Sequence, residues 1–421
     1  MLVNMVSIVL LSRLGFRGSF SGCYTMKKLQ WIGLAALVLS FSQIRAAAQF
    51  AYGPAALSGL GILNGFKTDQ TGNFTPLAGS PFGPNAQFSS MVVNPVTNLL
   101  YAYYIAPEER SDPKQIQGRV QPYRVDAAGT PVPIGHPMVY YPPAVPSGLF
   151  LVSTTLGLMD PSGKYLCIVN TTTDDEGFGA GTQLSFLRIE KSGSVIYTPK
   201  DVYPFGSGVQ IMAGHPSGAF FFGEDNSTVF GYRVESNYTL TPISPPTLAG
   251  PWSIGFDPSG KYFYEFYSPT PEPTLALAVF TVGSDGTLTP IPGSPFRDST
   301  GGFDVTNPLF FHPSGKYVYA LGYPPTTGQG SSIYAYSIAN NGQLIPLSGS
   351  PYALPGAAVI APGLTMAMDP GGNFIVVSDQ SYNPSNANWV YLIQPDGTLQ
   401  PRANSPSNTI PAIDCFVGNP E

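Results

Sequence analysis

Two short marks alternate along this chain, and they constrain its fold more than any other feature. One is an Asp, Asn or His followed by Pro. It occurs at Asn94-Pro95, Asp160-Pro161, His215-Pro216, Asp257-Pro258, His312-Pro313 and Asp369-Pro370, with intervals of 66, 55, 42, 55 and 57 residues. Three copies, at Asp160, Asp257 and His312, continue Ser-Gly-Lys-Tyr into an aromatic and β-branched run, such as Tyr317-Val318-Tyr319-Ala320-Leu321. The other mark is a Gly-x-x-x-Pro block that often ends in Ser-Pro-Phe, as in Gly286–Phe296 and Gly72–Phe82. It has seven copies, the others starting at Gly129, Gly193, Tyr238, Gly342 and Gly397. A period of this length signals a repeat architecture.

Each mark has a backbone reason. Pro fits the second position of a type I turn, and Gly fits a fourth position needing positive φ. Asp285-Gly286, Asn341-Gly342 and Asp396-Gly397 are dipeptides of tight hairpins. The runs between them alternate and are rich in Tyr, Val and Ile, so they read as strands. One unit is strand, Pro turn, strand, variable loop, strand, Asp-Gly turn, strand. Four antiparallel strands at a period near 55 predict an all-β propeller.

The first block, at Gly72, has no inner strand before it, and Ile413-Asp414-Cys415-Phe416-Val417 is a strand with no blade after it. The two fragments complete one another. The expectation is a single seven-bladed domain over 49–421, closed by N-terminal outer strands and a C-terminal inner strand, which protects exposed sheet edges. The seventh Pro mark is assigned to Gly418-Asn419-Pro420.

Residues 1–48 read as a leader. Met26-Lys27-Lys28 supplies a basic start, Ile32–Phe41 an apolar run too short to span a bilayer, and Ala46-Ala47-Ala48 a small-residue cleavage site. Met26 is a candidate true start. The expected location is periplasmic or extracellular, with no transmembrane span after cleavage. Cys167 and Cys415 are expected as free thiols, without the neighbours a metal site or nucleophile needs. Of 421 residues, only 10% are charged and the net charge is −6. With no basic patch, that excludes a nucleic-acid partner.

Asp225-Asn226-Ser227-Thr228-Val229-Phe230-Gly231-Tyr232-Arg233, after His215-Pro216-Ser217-Gly218, resembles the seven-bladed lactonase-type propellers, the family of 6-phosphogluconolactonases. The Gly-Thr-Leu-Thr-Pro hairpins at Gly286 and Gly397 resemble it too. YVTN-type surface propellers are weaker relatives. The resemblance implies lactone hydrolysis at a channel mouth by an Arg-His pair six and five residues before the turn proline. Those places here are Gln210-Ile211, Trp252-Ser253, Asn307-Pro308, Leu364-Thr365, Thr155-Leu156 and Ser89-Ser90, with neither Arg nor His.

Two functions remain open: a ligand- or protein-binding scaffold propeller with a degenerate site, and a lactonase acting on a sugar lactone. Glu224 is a weak catalytic candidate, competing with Asp225 and Asn226 for the family's Asn-Glu place. Gln210, Trp252, Asp304, Asn307 and Asp414 are the other candidates for ligand contact at the channel mouth. The partner is a sugar lactone or carbohydrate, or an envelope protein; the protein is expected to be a monomer with no cofactor or resident metal. Asp174-Asp175-Glu176 could hold a calcium ion through oxygen ligands, but reads first as a solvated loop. His136, His215 and His312 read as turn residues. Arg124 and Arg233 read as salt-bridged or solvated rim residues.

Overall fold

In the computed structural model the described residues are 49–54, 62–84, 86–105, 118–140, 149–174, 179–204, 211–224, 229–243, 251–267, 276–297, 309–322, 330–357, 364–379, 388–403, 405–406 and 413–418. They form seven antiparallel sheets, one per blade. The ring closes as the termini predict. Cys415–Val417 pairs with Gln49–Pro54, which pairs with Leu63–Thr68 and then Phe74–Pro76. This is blade 1. The inner strands of blades 2 to 7 are Gln87–Val93, Leu149–Met159, Ile211–Gly214, Pro251–Phe256, Phe310–Phe311 and Leu364–Met368. Each starts at what we term the channel face and runs toward its Pro turn.

The core lies between blades. Seven apolar clusters occupy the seven seams, each drawing side chains from two consecutive blades. The strands therefore bury both faces, which is why runs such as Tyr262–Tyr267 are buried throughout.

Tyrosines bolt the seams. Tyr52, Tyr101, Tyr264 and Tyr319 donate their hydroxyls to the carbonyls of Gly129, Gly193, Gly342 and Gly397 in the next blade, at 2.6, 2.9, 3.0 and 2.9 Å. Each acceptor is the glycine of an outer hairpin. A Cβ on Gly342 would meet the Tyr262 ring at 2.7 Å, so the close approach itself demands glycine.

The hairpins are not the two-residue turns that an Asp-Gly pair favours. At Gly283–Thr287 the Gly286 N–H donates to the Gly283 carbonyl, and only Gly286 takes positive φ, +87°. This is a type I turn with a glycine bulge. Asp285 accepts from the N–H and hydroxyl of Thr287, at 3.0 and 2.8 Å, and so stays in the right-handed region. These bonds hold its carboxyl below the usual range.

The Ser-Pro-Phe block interrupts the outer strand. Leu288–Pro290 and Phe296–Arg297 both pair with Ala276–Val282, so three blades carry a fifth short strand. Between the two pieces the Ser294 hydroxyl accepts the Val279 N–H at 2.9 Å, replacing a ladder carbonyl. Ser80, Ser350 and Ser405 repeat this on Gly65, Ala335 and Val390. Each of these serines precedes a cis proline. Ser294→Ala orphans a half-buried N–H, and a loss of about 1 kcal/mol is expected in denaturant titration.

At the Pro turns, donor side chains alternate with aspartates: Asn94, Asp160, His215, Asp257, His312, Asp369. The donors cross the seams. Asn94 Nδ2 donates to the Gly163 carbonyl at 2.9 Å, His215 Nε2 to Gly260 at 3.0 Å and His312 Nε2 to Gly372 at 3.0 Å. A carbonyl can only accept, so the proton of neutral His215 sits on Nε2, and Nδ1 accepts from the Ser217 N–H and hydroxyl. Both histidines are turn residues, as expected. Partial burial lowers the His215 pKa, against the opposing effects of the Gly260 bond and the Asp257 charge. The folded state therefore prefers neutral His215. Its contribution is complete above the unfolded pKa near 6.5 and is lost as pH falls through the lower folded value. Asn makes the same bond in blade 2, so His215→Asn should match wild type at pH 8 and lose less stability on going to pH 5. Thermal unfolding at the two pH values tests this.

Blade 3 departs from the others. Its strands Leu149–Met159, Tyr165–Asp174, Gly179–Ile189 and Val195–Pro204 are 10 or 11 residues long. Its Pro turn keeps the level of its neighbours, so the extra length rises on the channel side, by about four residues or 13 Å. A buried trio, Tyr140, Asn170 and Ser185, is hydrogen-bonded at its base.

Candidate functional site at the seam of blades 4 and 5

The seam between blades 4 and 5 brings two buried carboxyl groups to the channel face. Blade 4 contributes Phe220–Glu224, in which Phe220, Phe222 and Glu224 share one side. Phe220 and Phe222 lie in the apolar cluster of this seam, so that side looks at blade 5. Blade 5 contributes Tyr262–Tyr267, in which Phe263, Glu265 and Tyr267 share one side, and Phe263 and Tyr267 lie in the same cluster. The two sides meet at Phe222 and Phe263, whose ring centroids are 5.0 Å apart and edge-on. One pleat further toward the channel face, each of these two sides carries a glutamate, Glu224 and Glu265, both 0% exposed.

Cross-strand neighbours repeat the placement. Glu224 sits between Ile211 and Val229, and Glu265 between Ile254 and Ala278. Val229, Ile254 and Ala278 belong to the same cluster. Below the pair is a stack of Phe222, Phe256, Phe263 and Phe280, with contacts of 4.8 to 6.4 Å. Two carboxyl groups thus cap an aromatic wall, where the dielectric is low and a second negative charge is costly.

Tyr267 and Arg297 complete the group. Tyr267 is 8% exposed. Burial raises its hydroxyl pKa, the Arg297 cation opposes the rise, and the Glu265 charge adds to it. Arg297 follows Phe296 on the interrupted outer strand and pairs with Ala276, which pairs in turn with Tyr267. Ser253, fully buried on the inner strand of blade 5, lies beside Phe266.

Of the residues singled out from sequence, Glu224 is placed in this group. Gln210, Asp225, Asn226, Asp304 and Asn307 lie outside the described residues. Trp252 lies within the inner strand Pro251–Phe256, and its side chain lies outside the described set. Asp414 is on blade 1, where its N–H donates to the Tyr52 carbonyl at 2.9 Å; it is not brought to Glu224. Glu265 was missed. Its signal was a lone acid in Tyr-Phe-Tyr-Glu-Phe-Tyr, a run otherwise wholly aromatic.

Other expectations resolve simply. Cys167 is free and buried, while Cys415 is free but only half-buried, and burial raises both thiols above the ordinary range. Arg233 pairs with Glu235 at 2.9 Å on the rim, and Arg124 is exposed. Asp175 and Glu176 lie outside the described residues, as do Asn419-Pro420. Among the described residues no cluster of three or more metal-ligating side chains occurs. Trp389 is a wedge, 2% exposed, its indole donating to the Pro355 carbonyl at 3.0 Å.

No protein-family model matches the chain, and no curated protein matches its sequence. Solved structures do match. A protein of Bacteroides fragilis assigned as a 6-phosphogluconolactonase is 16% identical, with 89% of this chain and 99% of that chain covered and a TM-score of 0.60. One of Bacteroides uniformis with the same assignment is 16% identical, with coverage of 88% and 98% and a TM-score of 0.59. The periplasmic gluconolactonase PpgL of Pseudomonas aeruginosa is 18% identical, with coverage of 89% and 99% and a TM-score of 0.59. The likeness runs the length of the ring, and with the seven sheets it shows that the chain has the fold of the lactonase-type seven-bladed β-propellers.

Proposed function

We propose that this protein is an exported propeller that binds a small, uncharged, hydroxyl-rich ligand, a sugar lactone or related carbohydrate, at the channel face. The observation that carries this reading is the placement of Glu224 and Glu265 on the seam-facing sides of two strands, above the aromatic pair Phe222 and Phe263. Carboxyl groups accept and donate hydrogen bonds to sugar hydroxyls, whereas they repel a phosphate. The sequence holds neither Arg nor His at Thr155-Leu156, Ser89-Ser90, Trp252-Ser253 and Leu364-Thr365, the places from which the family's pair would meet a phosphorylated substrate. Export is supported by the Met26–Ala48 leader pattern and agrees with a periplasmic structural neighbour. No helix among the described residues is long and apolar enough to cross a membrane.

Hydrolysis of the bound lactone is the second reading. It is favoured by the fold shared with proteins named as lactonases and by Glu224, which could act as a base toward water. Calorimetric titration with gluconolactone and with gluconate, beside a pH-stat assay of ring opening, separates the two. Glu224→Ala should weaken binding about 10- to 100-fold, the value of a lost charged hydrogen bond. Undiminished binding by this variant removes Glu224 from the site, and ring opening no faster than the blank rejects hydrolysis.

A further inference from the structure

We infer that Asn237, on the outer hairpin of blade 4, is an acceptor for an N-linked glycan. The sequence holds four Asn-x-Ser/Thr triplets without proline in the middle, at Asn73, Asn170, Asn226 and Asn237. Asn226 lies outside the described residues. The other three differ in what their amide nitrogen does. Asn170 is 1% exposed, and its Nδ2 donates to the hydroxyls of Tyr140 and Ser185 at 2.7 and 3.2 Å. Asn73 is exposed, but its Nδ2 donates to the Asp69 carboxylate at 2.6 Å and the Thr71 hydroxyl at 2.8 Å, while its oxygen accepts from Arg402 of blade 7. A glycan on either nitrogen breaks into these bonds.

Asn237 is exposed, and its nitrogen is spare. The hairpin of blade 4 reads Asn237-Tyr238-Thr239 where those of blades 5 and 7 read Asp285-Gly286-Thr287 and Asp396-Gly397-Thr398. In those two, one carboxylate oxygen accepts the N–H and the hydroxyl of the threonine, at 3.0 and 2.8 Å and at 3.0 and 2.6 Å. Asn237 makes the same two bonds through Oδ1, at 3.0 and 2.7 Å. A backbone N–H can only donate, so the accepting atom is the amide oxygen. Nδ2 is left with both hydrogens and no bond among the described residues. The amide thus does the work of the carboxylate in the turn and presents a nitrogen that a carboxylate lacks. The hairpin stands on the Pro-turn side, where the Val234 N–H donates to the Ala219 carbonyl at 2.8 Å, so a glycan on it leaves the channel face open.

The step balances without an oxidant or reductant. Asn237 Nδ2 bonds to the anomeric carbon of an oligosaccharide carried on a lipid diphosphate. The bond from that carbon to the diphosphate oxygen breaks, and the diphosphate leaves with the electron pair. One Nδ2 proton passes to a base of the transferase. The inference rests on the proposed export, because transferases of this kind act on chains that have crossed a membrane. Cell fractionation reads export by itself, and a chain retained in the cytosol refutes that reading; the acceptor test on purified protein is independent of it.

The test incubates the full folded chain with a membrane oligosaccharyltransferase and an oligosaccharide on lipid diphosphate, and peptide mass spectrometry reads each asparagine. The glycan mass is expected on Asn237, with an initial rate about 10-fold or more above that at Asn73, the value of a lost hydrogen bond to a charged group. Peptides released from the same chain by digestion should be modified at Asn73 and Asn170 as well, because the bonds that hold those amides are gone. Asn237→Asp keeps both turn bonds, so it should melt within about 2 °C of wild type and lose the modification at that position. Thr239→Ser keeps the hydroxyl and should remain an acceptor. A folded wild-type chain left unmodified at Asn237 overturns the inference. So does a folded chain modified at Asn73 as fast as at Asn237.

Discussion

Phe263→Ala is expected to destabilise the propeller by about 3–5 kcal/mol, the cost of deleting a fully buried aromatic side chain. Phe263 is 0% exposed and touches rings from three neighbouring strands, Phe222 at 5.0 Å, Phe256 at 4.8 Å and Phe280 at 6.4 Å. Three walls set by strand pairing cannot collapse together, so the cavity stays and its cost adds to the lost transfer energy. The same ring supports Glu265 from below, so a loss of ligand affinity should accompany the loss of stability. Phe263→Leu retains most of the volume and should recover most of both. Guanidinium titration reads the stability, and a loss below about 1 kcal/mol would contradict the packing described for this seam.

The second large effect concerns an exchange across the seam of blades 3 and 4. In four seams a tyrosine at one strand position reaches the glycine of the next blade's outer hairpin. Here the strand position holds Cys167 and the hairpin position holds Tyr238. Tyr238 takes the left-handed conformation at φ +65°, packs on the cluster that contains Cys167, and lies 5.3 Å below the Arg188 guanidinium. The small and large residues have changed places, and Tyr238 fills the space the missing ring leaves. Cys167→Tyr alone should overpack the seam and cost about 1–3 kcal/mol. Tyr238→Gly alone relieves backbone strain but empties the space and should also destabilise. The double substitution restores the arrangement of the other seams, so it should lie above the sum of the single changes by about 1–3 kcal/mol. A double-mutant cycle by chemical denaturation measures that coupling. Additivity would mean that the two positions do not share one space.

The comparison with the sequence is instructive at particular residues. The ring closure by Cys415–Val417 on Gln49–Pro54 was legible because each terminal fragment lacked what the other supplied. His215 and His312 were legible as turn residues because a following proline needs no reactive neighbour to explain it. The Asp-Gly hairpins were half legible. The dipeptide predicts a reversal, but the side chain of Asp285 binds Thr287 and so selects the bulged type I form.

Glu265 was not legible. Its neighbours in sequence, Tyr264 and Phe266, lie on the other side of the strand. The residue that gives it meaning, Glu224, is 41 positions away in another blade. Periodicity along one strand says which residues share a side, but not which side of the next blade they meet. The Cys167 and Tyr238 exchange was hidden for the same reason, since each substitution looks like drift until the seam joins them.

The sequence by itself determined the blade count, the Pro turns and the closure of the ring. These depend on local rules: where φ must be positive, where an N–H is absent, and how side chains alternate. The tertiary structure decided which polar groups converge. Convergence across a seam is set by how two sheets stack, and stacking follows from the packing of Phe222 on Phe263, a contact that no single strand encodes.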